Sequence, residues 1–216
     1  MPGTTYHRDN LREDLLDAAL AELREKGSGA FSIRNVASRC GVSHNAPYRH
    51  FDSKERLLDE LAREGFSGLV KALERSVRPA AGQSHAGRAA DRLVALLRAY
   101  LVFAEKNPEL VDLMFSSEAS IGSSPSEGGT CPAAEAFGIL ERCVADCQAE
   151  GSVASGASSG ALALVAWSTI HGFSVLAKRG IVGAMGESRG GSRESTVRAV
   201  FDAMRALWGG GVPRQG

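Results

Sequence analysis

The chain has 216 residues, with 25 lysines and arginines balanced by 25 aspartates and glutamates, and four cysteines. That length allows one small domain and a larger one with a substantial core, while the neutral balance gives no global basic field for nucleic acid. No apolar run follows the N-terminus, and the most apolar stretch, residues 161–176, contains Ser168, Thr169 and His171 and is short for a bilayer, so a cytoplasmic protein without a membrane segment is expected.

Leu11, Leu15, Ala19 and Leu23 recur at helical spacing, Asn10 and Glu13 resemble an N-terminal cap pair, and Gly27 to Gly29 end the segment, with Phe31 as a core plug beneath it. Ser32 then caps a short helix whose apolar face is Ile33, Val36, Ala37 and Cys40. Gly41 stops it in the left-handed conformation, Val42 packs inward, and Ser43 caps a recognition helix of about two turns ending at Phe51. Pro47 falls in its first turn, where at most one intrahelical hydrogen bond is lost. Asp52 and Glu55 form a D-x-x-E arrangement that opens a long helix near Ser53. Three helices with the last presented outward form a helix-turn-helix, which sets one helix in the major groove.

Charge is arranged locally. Between residues 33 and 54 the cations Arg34, Arg39, Arg49 and Lys54 face only Asp52. Asn45 suits bidentate pairing with adenine and Ala46 a methyl contact with thymine, whereas Tyr48 and His50 suit phosphate positioning. Arg49 fits a solvated charge as well as a contact, and His50 beside Phe51 fits a packed, cap-like histidine too. So modest a cationic excess binds DNA weakly alone, and two copies on adjacent half-sites multiply affinity, so dimerisation is expected.

The remainder reads as helical. A helix over residues 53–77 is weakened in its middle by Gly65 and Gly68, and a loop follows. Leu93, Leu96, Leu97, Tyr100, Leu101 and Ala104 form the face of a helix over 88–106, and Asn107-Pro108 begins a short helix through Phe115. Residues 116–132, rich in Ser, Gly and Pro, read as a mobile loop, followed by a helix over 133–150 and a small-residue break. Residues 161–179 are apolar nearly all round and predict a buried helix, and Val197, Val200, Phe201, Met204 and Trp208 give a final stripe suited to a dimer seam or an intrachain core. Cys143 and Cys147 lie one turn apart without a Cys/His pair to complete a zinc site, so no metal is expected and reduced thiols are.

The segment from Leu11 to Leu61 resembles the N-terminal domain of the tetracycline-repressor-like (TetR) family of bacterial transcription regulators, through Gly41-Val42-Ser43 and Tyr48-Arg49-His50-Phe51. It departs at Ala46 and Pro47, where many relatives carry Thr or Ser and then Leu. The resemblance implies that His44, Asn45 and Ala46 face base edges, that Tyr48, His50 and Lys54 touch phosphates, that Arg34 reaches in from the preceding helix, and that Ser43 belongs to the same DNA-binding set. Trp167-Ser168-Thr169-Ile170-His171-Gly172 resembles the Trp-x-x-x-His-Gly signature of one C-terminal subgroup.

The expected fold is all-α, with a three-helix helix-turn-helix domain over 1–55 and a larger helical ligand-binding and dimerisation domain over 56–216. The expected function is a ligand-responsive regulator, a repressor that binds a palindromic double-stranded operator as a homodimer through its last two helices and is released by a small, mainly apolar effector. Tyr100, Phe103, Leu110, Met114, Phe115, Phe137, Trp167 and His171 are candidate effector-lining residues because they sit on core faces of the central helices, although such residues also serve as plain core. Trp167 and His171, four apart, either line a cavity together or pack as a unit. An effector-independent DNA-binding protein is the nearest alternative. An enzyme is the more distant one, because no G-x-S-x-G, HExxH, P-loop or dinucleotide motif appears, and neither catalytic residues nor a cofactor are expected.

Overall fold

The computed structural model describes residues 10–78, 88–116, 131–153 and 155–188, together with 192, 195, 196, 198–200, 202 and 203. Among these there is no strand, and the chain is all-α as expected. The helices are α1 (Leu11–Lys26), α2 (Ile33–Arg39), a 3-10 turn (Pro47–Arg49), α3 (Lys54–Val77), α4 (Ala89–Lys106), α5 (Pro108–Met114), α6 (Pro132–Ala149), α7 (Ser159–Lys178) and α8 (Ile181–Glu187). Packing divides the chain into two compact units, Met1–Ser67 with Asn107–Cys131, and Gly68–Lys106 with Pro132–Gly216.

In the first unit α1 packs on α2 and α5. Leu15, Ala19 and Leu23 of α1 are fully buried, as are Val36 and Ala37 of α2, and Phe31 and Phe51 close this core from the flanking loops. Each such leucine removed from water contributes about 1.5–3 kcal/mol. Glu22 of α1 is buried too, and it is satisfied from α2: Asn35 Nδ2 donates to it at 2.7 Å and Arg39 Nε at 3.2 Å. Arg39 also pairs with Glu25, whose carboxyl it holds below the usual range. α5 is tied to α1 by Arg24 donating to the Asn107 side-chain oxygen at 3.1 Å. Its Met114 and Leu110 press on α3 where Gly65 leaves room, since a Cβ there would lie 2.8 Å from Met114 Sδ. Gly65 therefore permits close helix approach, and α3 runs unbroken through it.

In the second unit α4, α6 and α7 pack mutually and α8 packs on α7. All six residues of the expected α4 face are buried. The α4 N-terminus is held from α6, because the Glu150 carboxylate accepts the Ala89 backbone N–H at 2.6 Å and Arg92 pairs with Asp146 at 3.0 Å. Ser158 caps α7 by accepting from Ala161 N–H at 3.2 Å.

α7 departs from the expectation of burial on all sides. Only Ala163, Ala166 and Ile170 are buried along it, whereas Leu164, Val165 and Leu176 are 59%, 52% and 43% exposed. A helix apolar all round fills more than one interface, and among the described residues α4, α6 and α8 pack against only part of it. Among the described residues α7 is the one helix long and apolar enough to cross a membrane, yet its buried face belongs to a packed helical unit. α8, which begins after Gly180 at φ +75°, was not anticipated. Of the final stripe, Val200 is half-buried, and Val197, Phe201, Met204 and Trp208 lie outside the described residues, as does most of the 116–132 loop.

Candidate nucleic-acid interface

The candidate interface is built by how α2 stops. Gly41 takes φ +66°, its N–H bonds Ser38 O at 3.0 Å, and Val42 N–H reaches back to Ala37 O at 3.0 Å. This paired closure satisfies two C-terminal carbonyls of α2 and turns the chain sharply. The next element is shorter than expected and differs in type. Ala46 N–H bonds Ser43 O at 2.9 Å and the chain then forms the 3-10 turn Pro47–Arg49, so the expected two-turn α-helix is not formed. Pro47 explains it, since it has no N–H to give to the carbonyl four residues back, and Ser43 O is taken by the residue three ahead. The Ser43 side chain makes no cap here. At the far end Ser53 caps α3, accepting the Arg56 N–H at 3.2 Å, one residue later than the expected Asp52.

The outcome is an outward-facing turn. Arg34, Ser43, His44, Asn45, Tyr48, Arg49 and His50 are exposed, Ala46 and Lys54 are half-buried, and Phe51 and Pro47 anchor the segment from below. His50 is therefore a surface group and not a packed one. Lys54 Nζ stands 5.8 Å from the centre of the Phe31 ring, and Arg12 lies 5.4 Å over Phe51 while pairing with Glu60 at 2.7 Å. A cation over an aromatic face is weakly held, which narrows where Lys54 points without neutralising it. Arg39, counted with the local cations, is instead bound by Glu22 and Glu25. Sequence reasoning missed this because the two carboxylates come from α1, 14 and 17 residues away.

The residues expected around an effector fall into two groups. In the second unit Tyr100, Phe137, Trp167 and His171 come together. The Tyr100 hydroxyl shares a 2.8 Å hydrogen bond with His171 Nδ1, and its ring meets Trp167 edge-on at 5.7 Å, with Phe137 6.1 Å beyond. Burial raises the Tyr100 pKa, so the phenol stays neutral. Phe103 lies against the gap left by Gly68. In the first unit Leu110 and Met114 face Gly65, and Phe115 meets Phe66 edge-on at 5.4 Å.

The four cysteines include no disulfide, and among the described residues no cluster suited to a metal ion occurs. Cys40 is core, its thiol donating to Asp14 O at 3.4 Å.

The N-terminal region matches the model for bacterial regulatory proteins of the tetR family over residues 15–61, and residues 93–200 match a tetracyclin repressor-like C-terminal domain. A Rhodococcus sp. RHA1 protein, described as of unknown function, is 33% identical, with a TM-score of 0.73 over 96% of this chain and 100% of its own. The nucleoid occlusion factor SlmA of Aliivibrio fischeri is 34% identical over 114 residues, 51% of this chain and 54% of that protein. The HTH-type transcriptional repressor KstR2 of Rhodococcus jostii is 37% identical over 59 residues, 27% of this chain and 29% of its own. The chain thus spans about half the length, or less, of these curated relatives. With a helix-turn-helix that exposes a polar turn and a helical C-terminal region that matches the same group, the chain belongs to the TetR family of DNA-binding transcriptional regulators.

Proposed function

We propose that the chain is a ligand-responsive repressor that binds a near-palindromic operator as a homodimer. The carrying observation is the exposed turn from Ser43 to His50, which offers His44, Asn45 and Ala46 for bases and Ser43, Tyr48 and His50 for phosphates, flanked by Arg34 and Lys54. A 3-10 turn in place of a longer helix brings few side chains to base edges, and a second half-site supplies the specificity that one turn lacks. Residues 1–55 carry DNA binding, and 56–216 carry dimerisation and effector binding.

Support for the dimer comes from the exposed face of α7, where Leu164, Val165 and Leu176 are 59%, 52% and 43% exposed, with Ile181 and Met185 of α8 similarly exposed. An isologous contact between two copies would cover them, together with the final stripe. The effector reading rests on Tyr100, Phe103, Phe137, Trp167 and His171 of the second unit, and on the Trp-x-x-x-His-Gly pattern that marks one subgroup of the family. Such a site takes a small, mainly apolar molecule with a polar group for the Tyr100–His171 pair. Effector shifts operator affinity only by its difference in affinity for the two conformers it discriminates.

The test is selection of bound sequences from a random duplex pool by purified protein at stated salt. A recovered palindrome sustains the reading, and no enrichment by a folded, dimeric protein removes it. The alternative reading is DNA binding without an effector. Operator affinity that no small apolar ligand alters, with the operator itself recovered, would select that one.

A further inference from the structure

The second unit carries a groove that the proposed function leaves unused. The end of α3, the start of α4 and the middle of α6 line an open groove of about 510 Å³, a volume in the range of small-molecule sites. Ile139 and Cys143 of α6, both buried, form an apolar floor with Val77 of α3. Three arginines line the same space, Arg78 just past the end of α3, Arg92 of α4 and Arg142 of α6, against two carboxylates, Glu74 and Asp146.

The three guanidiniums are not equivalent. Arg92 is committed to Asp146 at 3.0 Å and Glu150 at 3.9 Å, the pair that also secures the start of α4. Among the described residues neither Arg78 nor Arg142 has a carboxylate within 4.0 Å. Arg142 folds back along α6, with Nη1 3.4 Å from where a Cβ on Gly138 would sit, so the glycine leaves room for the guanidinium. Two forked cations beside an apolar floor match a planar anion carried on a short hydrocarbon, because arginine bonds carboxylate bidentately while the floor buries methylenes. Burial pushes the Cys143 thiol up to about 11, so the floor adds no negative charge near neutral pH.

We propose that this groove is a second ligand site, separate from the Tyr100–Trp167–His171 cluster, that binds small amphipathic carboxylates through Arg78 and Arg142. The proposal does not depend on the effector reading, since the two sites share no residue.

The probe is sodium octanoate, titrated into the full-length protein with 1-octanol as the uncharged counterpart, followed by calorimetry and by arginine side-chain Nε–H resonances. Octanoate is expected to shift the Arg78 and Arg142 resonances, and 1-octanol is not. Arg78→Gln with Arg142→Gln should weaken octanoate binding about tenfold or more, the loss expected for hydrogen bonds to a charged group, while Arg78→Lys with Arg142→Lys recovers part of it. Trp167→Ala should leave octanoate affinity unchanged. Equal shifts from octanol, an unchanged affinity in the glutamine pair, or loss of binding in Trp167→Ala would each overturn the proposal.

Discussion

Tyr48 in the helix-turn-helix and Leu164 on α7 are comparably exposed, at 48% and 59%, yet the two exposures have different physical meanings. Around Tyr48 the backbone is closed by its own bonds, Phe51 and Pro47 sit beneath it, and what faces water is hydroxyl, imidazole, amide and guanidinium. Those groups lose little in water and gain charge-assisted bonds when a phosphate arrives. Around Leu164 the exposed atoms are hydrocarbon on a helix whose opposite face is already packed. Water is a poor solvent for such a face, and burial against another apolar surface is the favourable outcome. Exposure alone therefore identifies no partner, and the chemistry of the exposed atoms separates a polyanion from a second protein surface.

The largest effect is expected from breaking the apolar side. Leu164→Asp with Leu176→Asp should convert the protein to a monomer in sedimentation and lower operator affinity by roughly 100-fold or more, through loss of the second half-site. A folded double variant that remains dimeric would place the interface elsewhere. The two faces of the same helix sharpen the point. Ile170→Ala, on the buried face, should cost about 3 kcal/mol in denaturant unfolding, whereas Leu164→Ala, compared in a background shown to be monomeric by sedimentation, should cost less than about 0.5 kcal/mol.

On the polar side, Tyr48→Phe with Lys54→Ala should lower operator affinity about tenfold and flatten its salt dependence by about one released counterion, with helicity unchanged. An unaltered salt slope would remove both residues from the phosphate contacts. The smallest effect is expected at Pro47. Pro47→Ala restores an N–H that can reach Ser43 O, so a newly protected amide at position 47 should appear in hydrogen exchange, with a stability change within about 1 kcal/mol from the freer unfolded chain. No protection there would mean that Ala46, not the proline, dictates the 3-10 turn.

Amphipathic phase made most of the fold legible. In α4 every residue of the expected face is buried, because one apolar stripe among polar neighbours leaves a helix a single way to turn. α7 lacks such a phase, so its sequence announces a helix but not which side packs; the small residues Ala163 and Ala166 settle that by close contact, which spacing does not encode. Asp52 and Ser53 are adjacent cap candidates, and the choice between them depends on where α3 sits over its core. In the candidate site, the outward turn was readable from local order around Gly41, and Asn45 and Tyr48 on it from their own chemistry, whereas His44 came from the family resemblance. Arg39 was not, because the carboxylates that hold it arrive from another helix.

The hydrogen bond between Tyr100 and His171 sets a condition on any molecule that settles among those rings. The hydroxyl and the imidazole are 2.8 Å apart, the tyrosine is only 2% exposed, and Ser174 also bonds its hydroxyl. A pure hydrocarbon that displaced the Tyr100–His171 bond would take a hydrogen bond from a buried hydroxyl without replacing it, at a cost of about 1–3 kcal/mol. A guest bearing a carbonyl or hydroxyl at the right spot replaces the bond it breaks. For an effector bound beside it, as proposed, the pair would act as a chemical gatekeeper, favouring oxygen-bearing apolar compounds over alkanes of equal size by about tenfold, a discrimination that shape alone would not supply.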